Sequence, residues 1–113
     1  MSVSTLNTVT ERIVYDIAEA FGNKLHKIIL YGSYARGDFD SESDIDIMVL
    51  LDCGEDELRQ YRPQICKIAS RASLESDVEV SILLRDKASF EKRLELLNFY
   101  RNVQNEGVVL YGQ

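Results

Sequence analysis

The sequence predicts an α/β fold (α+β in the looser form) with one small sheet flanked by helices. Three observations predict it. Short apolar runs before Gly32 and Gly54 have the length of buried strands. Longer segments with helical spacing separate them, and glycine punctuates most junctions. The expected order is αβαβαβα with a terminal β-strand, in a chain of 113 residues expected to form a single domain, 1–113.

Ser4 or Thr5 is positioned to cap a first helix, whose apolar positions Leu6, Val9, Ile13, Ile17 and Ala20 follow helical spacing. Gly22-Asn23 ends it. His26 to Tyr31 reads as a strand covered on both faces, and Ser33 to Arg36 as a brief helical turn stopped by Gly37. Ile45 to Leu51 is the second strand, with Gly54 marking its end. Glu55 to Ser73 has a helical pattern through Leu58, Tyr61, Ile65, Ile68, Ala69 and Ala72, and Pro63 inside it is expected to kink or restart the helix. Asp77 to Leu84 is a third strand. Asp86 then caps a helical region broken near Leu94 to Leu97 and resumed through Phe99 and Val103, until Gly107 stops it and Val108 to Tyr111 adds an edge strand.

A hydrophobic content of 45% and a charged content of 28% are ordinary for a globular domain. No stretch has the length and apolarity of a membrane span, and the N-terminus lacks a basic region followed by an apolar one, so a cytoplasmic protein without membrane contact is expected. Cys53 and Cys66 have no CxxC spacing and are expected as reduced thiols. The net charge of −6 is more informative: a protein that grips a nucleic acid by its phosphates needs a basic face, and here the basic residues are scattered and outnumbered. Direct nucleic-acid binding is not expected. A nucleotide carried with a divalent cation, or a basic protein partner, fits.

The chemistry concentrates in GSYARGDFDSESDID, residues 32–46. Gly32-Ser33 forms a turn in which glycine lets a ligand approach the backbone, the following amides point toward an anion, and Ser33 adds a hydroxyl donor. Most Gly-Ser pairs are simply turns. Asp44 and Asp46 change the reading, because two residues apart at the start of a strand they share one face, roughly 6.5–7 Å apart at the backbone. Ile45, Ile47 and Val49 take the other face and fix the register. Like charges so placed repel, and a divalent cation reverses the sign of that interaction, with hard oxygen ligands suited to Mg²⁺. Asp38, Asp40 and Glu42 read as a solvated loop and are left out of the site.

A third carboxylate is expected from the next strand, where Asp77, Glu79 and Ser81 share a face and Val78, Val80 and Ile82 turn to the core. Glu79, flanked by valines, is preferred; Asp77 at the strand entrance stays open as the alternative. Arg36 has two readings of equal weight: a fork-shaped donor to a phosphate oxygen, or a surface ion pair to Asp38 or Glu42. His26, the only histidine, reads as a surface residue.

Gly32-Ser33, ten residues, then Asp44-Ile45-Asp46 resembles the GS-x₁₀-D-x-D signature of the DNA polymerase β-like nucleotidyltransferase superfamily. Ala35-Arg36-Gly37, the chain length and the placement of Glu79 look most like the minimal nucleotidyltransferases, among them MntA-type antitoxins paired with HEPN toxins. Many relatives carry aspartate where this chain has Glu79. The resemblance implies a nucleotidyltransferase fold with one small mixed sheet, a nucleotide site at Gly32, Ser33 and Arg36, and ATP as substrate. It implies that Asp44 and Asp46 bind two Mg²⁺ ions, with Mn²⁺ as a substitute, while Glu79 holds the ion nearer the acceptor and helps take its proton. It further implies transfer of AMP to a hydroxyl, a tyrosine of a cognate HEPN ribonuclease toxin. The chain length leaves no room for an acceptor-binding domain, so the acceptor is expected on a partner. A non-catalytic antitoxin acting by binding alone, and a homodimeric small-molecule nucleotidyltransferase, remain the rival readings. Other oligomers are also open.

Overall fold

The computed structural model describes residues 2–112. Helix α1 spans Val3–Phe21 and is capped by Ser2, not by Ser4 or Thr5: extended backbone at Ser2 lets its hydroxyl accept the Thr5 amide at 3.1 Å, which places Ser4 and Thr5 inside the first turn. Leu6, Ile13 and Ile17 are buried as their spacing predicts, while Ala20 is exposed. A 3₁₀ turn, Gly22–Lys24, leads into β1, Leu25–Tyr31. The short helix α2, Ser33–Arg36, and strand β2, Ile45–Leu51, have the expected bounds.

Helix α3 runs unbroken over Glu55–Ser76, so Pro63 does not restart it. Pro63 is exposed, where water can take the carbonyl that its missing N–H leaves unpaired. Leu58 before it and Ile65 and Ala72 after it bury one continuous face. Strand β3 is Val80–Asp86, shifted from the expected Asp77–Leu84. Asp77 is the cause: it ends α3 in the left-handed conformation at φ 58°, ψ 25°, with its amide on the Ser73 carbonyl, and so breaks the alternation. Asp86 caps α4, Lys87–Leu94, through the Ser89 amide at 2.9 Å. Helix α5, Asn98–Glu106, and strand β4, Val108–Tyr111, complete the chain as expected.

The sheet order is β3-β2-β1-β4, with β2 and β3 parallel and the other two pairings antiparallel, a mixed sheet flanked by helices. Ile45, Ile47, Val49 and Leu51 face α1 and α3, joining Ile13, Ile17 and Ile65 in the larger core cluster. Met48 and Leu50 face the other way, with Ile29, against Phe90, Tyr100 and Val103 of α4 and α5. Both faces of β2 are therefore covered, which is why it reads as an unbroken apolar run. Asp46 belongs to the second face, at the end that α4 and α5 leave less covered: it is half-buried, where Met48 and Leu50 are buried. Among the described residues no helix is long and apolar enough to cross a membrane. Both cysteines are free thiols, Cys53 half-buried and Cys66 exposed.

Candidate active site

The turn after β1 is built by its own backbone. The Gly32 carbonyl accepts the amides of Ala35 and Arg36 at 3.1 Å each, and the Ser33 carbonyl accepts those of Gly37 at 2.9 Å and Asp38 at 3.2 Å. The first amides of such a helical turn have no partner within it and stay available to an anion. Buried Tyr34 stacks on Phe39 with ring centroids 4.4 Å apart, which ties both the turn and the following loop to the core. Asp40 serves that loop, accepting the Glu42 amide at 2.8 Å while its own amide donates to Ser43 Oγ at 3.0 Å.

Gly32 and Asp46 meet directly. Tyr31 is the register partner of Asp46 across β1 and β2. A Cβ placed on Gly32 would stand 2.6 Å from Asp46 Oδ2. Gly32 also has φ 76° and ψ −155°, a conformation essentially closed to other residues. The chain thus brings the phosphate-type turn and the carboxylate of Asp46 into contact, across thirteen intervening residues of sequence.

On the other side of Asp46 stands Ser81, its partner on β3. The Ile45 amide donates to the Glu79 carbonyl at 2.9 Å, one residue ahead of the first register pair, so Glu79 runs beside Asp44. Glu79 is exposed and lies just before the strand, not in the interior position that its flanking valines suggest. That exposure follows from the left-handed turn at Asp77, which delays the strand by three residues.

Burial raises the Asp46 carboxyl above its ordinary pKa, and the neighbouring charges of Asp44 and Glu79 push the same way while Arg36 opposes them. Asp44, Glu79 and Arg36 thus all act on Asp46, and Asp77 is not among them. The folded protein holds the Asp46 proton more tightly than the unfolded chain does. Its contribution to stability is complete below the ordinary value of 3.8 and is lost as the pH rises through the higher folded value. Asp46→Asn should therefore raise the melting temperature relative to the parent at pH 7 without divalent cations, and the difference should vanish at a pH below 3.8. An unchanged or lowered melting temperature at pH 7 would mean that Asp46 is not under electrostatic strain.

The donor chemistry fits a divalent cation. Asp44, Asp46 and Glu79 offer only hard carboxylate oxygens, and among the described residues none of them has an ion-pair partner. Among the described residues no group of three His, Cys, Asp or Glu side chains converges as a ready-made metal cage. Magnesium needs none, since it is commonly held by one or two carboxylates completed by substrate phosphates and water. Asp44 and Asp46 could hold it in that way, with Glu79 or Asp77 as the added carboxylate.

Kinetics separates those two acids. In the reaction that the sequence motif implies, with Glu79 as the base, Glu79→Gln should slow the single-turnover step about 10²-fold or more and leave nucleotide affinity unchanged. Asp77→Asn should stay near the parent rate, since asparagine tolerates the left-handed cap. The reverse order would assign the role to Asp77.

Arg36 pairs with Asp38 at 3.2 Å and Glu106 at 3.7 Å, and not with Glu42. With 45% of its side chain exposed, such pairs are worth about 0–1 kcal/mol and do not lock the guanidinium in place. Glu106 introduces residues that the motif did not reveal. A cavity of about 210 Å³ opens beside the turn, lined by Tyr31, Gly32 and Arg36 together with Phe99, Asn102 and Glu106 of α5. Phe99 meets the Tyr31 ring edge to face, centroids 5.7 Å apart. Burial and the Asp46 charge push the Tyr31 phenol up to about 12, so it stays a neutral donor. Phe99, Asn102 and Glu106 share one face of α5, but helical spacing alone does not say which strand that face meets. His26 lies near the opposite end of β1, beside the irregular Leu25–Lys27 step and remote from Asp46.

A sequence profile of the family described as "Nucleotidyltransferase domain" matches residues 11–110. The chain belongs to the nucleotidyltransferase family. This nucleotidyltransferase is 39% identical over 93 residues to a candidate protein adenylyltransferase of Methanocaldococcus jannaschii, covering 82% of this chain and 86% of that protein. A second candidate protein adenylyltransferase from the same organism is 35% identical over 101 residues, covering 89% of this chain and 93% of that one. The nucleotidyltransferase also superposes, at a TM-score of 0.57, on a chain from the structure of a tri-AMPylated Shewanella oneidensis HEPN toxin in complex with an MNT antitoxin. That match covers 95% of this chain and 72% of the other; at 22% identity it is a likeness of fold.

Proposed function

We propose that this nucleotidyltransferase moves AMP from ATP to a tyrosine hydroxyl of a cognate HEPN ribonuclease toxin, and so acts in the cytoplasm as the adenylylating antitoxin of a toxin–antitoxin pair. The observation that carries this reading is the likeness, over most of both lengths, to two candidate protein adenylyltransferases. The shared fold with a chain from an AMPylated toxin–antitoxin complex supports the choice of partner.

In this reading the amides after Gly32 and the Ser33 hydroxyl orient the terminal phosphates, and Arg36 leaves its surface pairs to reach a phosphate oxygen. Asp44 and Asp46 would hold magnesium, with Glu79 as the added carboxylate. Bound there, magnesium would neutralise charge on the attacking and leaving oxygens of an in-line displacement. The tyrosine oxygen attacks the α-phosphorus, the bond from that phosphorus to the bridging oxygen breaks, and pyrophosphate leaves with the electron pair. Glu79 helps take the phenolic proton. Positioning and electrostatics carry most of the rate in such transfers.

The test is to incubate the protein with its cognate toxin, ATP and Mg²⁺ and to measure intact masses. The toxin should gain whole adenylyl groups on tyrosine, and its toxicity should fall in step. A toxin neutralised at unchanged mass would overturn the proposal in favour of masking by binding.

A further inference from the structure

A second cluster of charge lies away from the carboxylates. Arg59 and Arg62 of α3, Arg85 of β3 and Arg93 of α4 line one cavity of about 450 Å³. That volume falls in the usual range for small-molecule sites, about 300–1,000 Å³. The cavity is at the far end of the β2–β3 pair: Asp46 stands opposite Ser81, whereas Leu51 stands opposite Asp86, which lines the cavity. Five residues of strand separate the two levels, roughly 17 Å.

The arginines are not explained by internal ion pairs. Among the described residues none of the four is in a salt bridge, although carboxylates line the same cavity. Two of those carboxylates are already bonded at Ser89, Asp86 to its amide at 2.9 Å and Glu55 to its hydroxyl at 3.1 Å. Arg85 spends Nε on the Tyr100 hydroxyl at 3.2 Å and Nη1 on the Leu84 carbonyl at 2.8 Å, which leaves other N–H donors of its fork free. Arg93 lies over the same Tyr100 ring, 6.0 Å from its centroid. Burial would push the Tyr100 phenol up, yet the Arg85 hydrogen bond and the charges of Arg85 and Arg93 outweigh it and bring the phenol below its ordinary value. Around the Tyr100 hydroxyl the guanidinium groups therefore outweigh burial, and over the cavity as a whole the four arginines outnumber the three carboxylates Glu55, Asp56 and Asp86, in a chain whose net charge is −6.

We propose that this cavity is a second phosphate-recognition site that takes a linear oligophosphate, either inorganic or the phosphate tail of a nucleotide. Guanidinium forks match phosphate edge to edge, and several forks around one cavity suit a ligand with several phosphates in a row. The lining carboxylates disfavour any anion that cannot engage the guanidinium groups directly.

The test is a titration followed by NMR at the arginine Nε–Hε signals, with tripolyphosphate in one arm and ATP in the other, both without divalent cations and at matched ionic strength. The Arg59, Arg62 and Arg93 signals should shift with tripolyphosphate. Matching shifts with ATP would assign the site to nucleotide tails, and their absence would assign it to inorganic chains. Arg59→Ala with Arg93→Ala should weaken binding at least tenfold, and Arg62→Ala, on an exposed position, should act in the same direction. AMP transfer at the carboxylate end should be unchanged, so the outcome is independent of the proposed reaction. Shifts confined to residues 32–36, or an affinity unchanged in these variants, would overturn the proposal.

Discussion

Asp44→Asn is expected to abolish AMP transfer while leaving the protein folded. Asp44 is exposed and precedes the first residue of β2, so the packed core does not depend on it. Its charge is another matter. A carboxylate that helps hold a metal ion contributes several kcal/mol to the transition state, and losing about 4 kcal/mol slows a reaction about 10³-fold. The melting temperature without ligand should be close to that of the parent. The extra stabilisation expected when ATP and Mg²⁺ are added together should be lost, because the variant no longer binds them as a unit. Calorimetry and single-turnover rates check the two halves. A variant with parental synergy and parental rate would remove Asp44 from the site.

Gly32→Ala is expected to damage both stability and transfer. The new Cβ would stand 2.6 Å from Asp46 Oδ2, and the backbone there, at φ 76° and ψ −155°, is strained for any side chain. Such strain costs of order 1–3 kcal/mol. Relief requires Asp46 to rotate away or the turn to shift, and a displacement of about 1 Å at a reacting centre can cost about 10²-fold in rate. Gly37→Asn is the matched control. Gly37 is also left-handed, at φ 84° and ψ 9°, but a Cβ there meets nothing within 4 Å. Asparagine tolerates that conformation, so transfer should be nearly unchanged. Equal effects at both glycines would contradict the close approach of Gly32 to Asp46.

Much of this was legible in the sequence, for reasons that differ by element. The bounds of α2 and β2 could be read because glycines at 32, 37 and 54 bracket them and because β2 is apolar on both faces. The break between α4 and α5 and the return of β4 after Gly107 were visible in the same way. Asp77 was not legible. Nothing in Ser-Asp-Val-Glu-Val distinguishes a strand entrance from a left-handed helix cap, and that one φ angle moved β3 and exposed Glu79. Pro63 misled because its cost depends on which side of α3 meets water. Phe99, Asn102 and Glu106 were hidden for a topological reason. Their helix packs back against β1, and no local pattern announces that long-range contact.

The most direct measurement of the central claim is isotopic. ATP labelled at the α-phosphate, and in parallel at the γ-phosphate, is incubated with the protein, Mg²⁺ and the cognate toxin. Attack at the α-phosphorus predicts that the α label moves to a toxin tyrosine with release of pyrophosphate, that the γ label does not, and that Asp44→Asn stops the transfer. Label arriving from the γ position, or full neutralisation of the toxin by Asp44→Asn with no label transferred, would contradict the account.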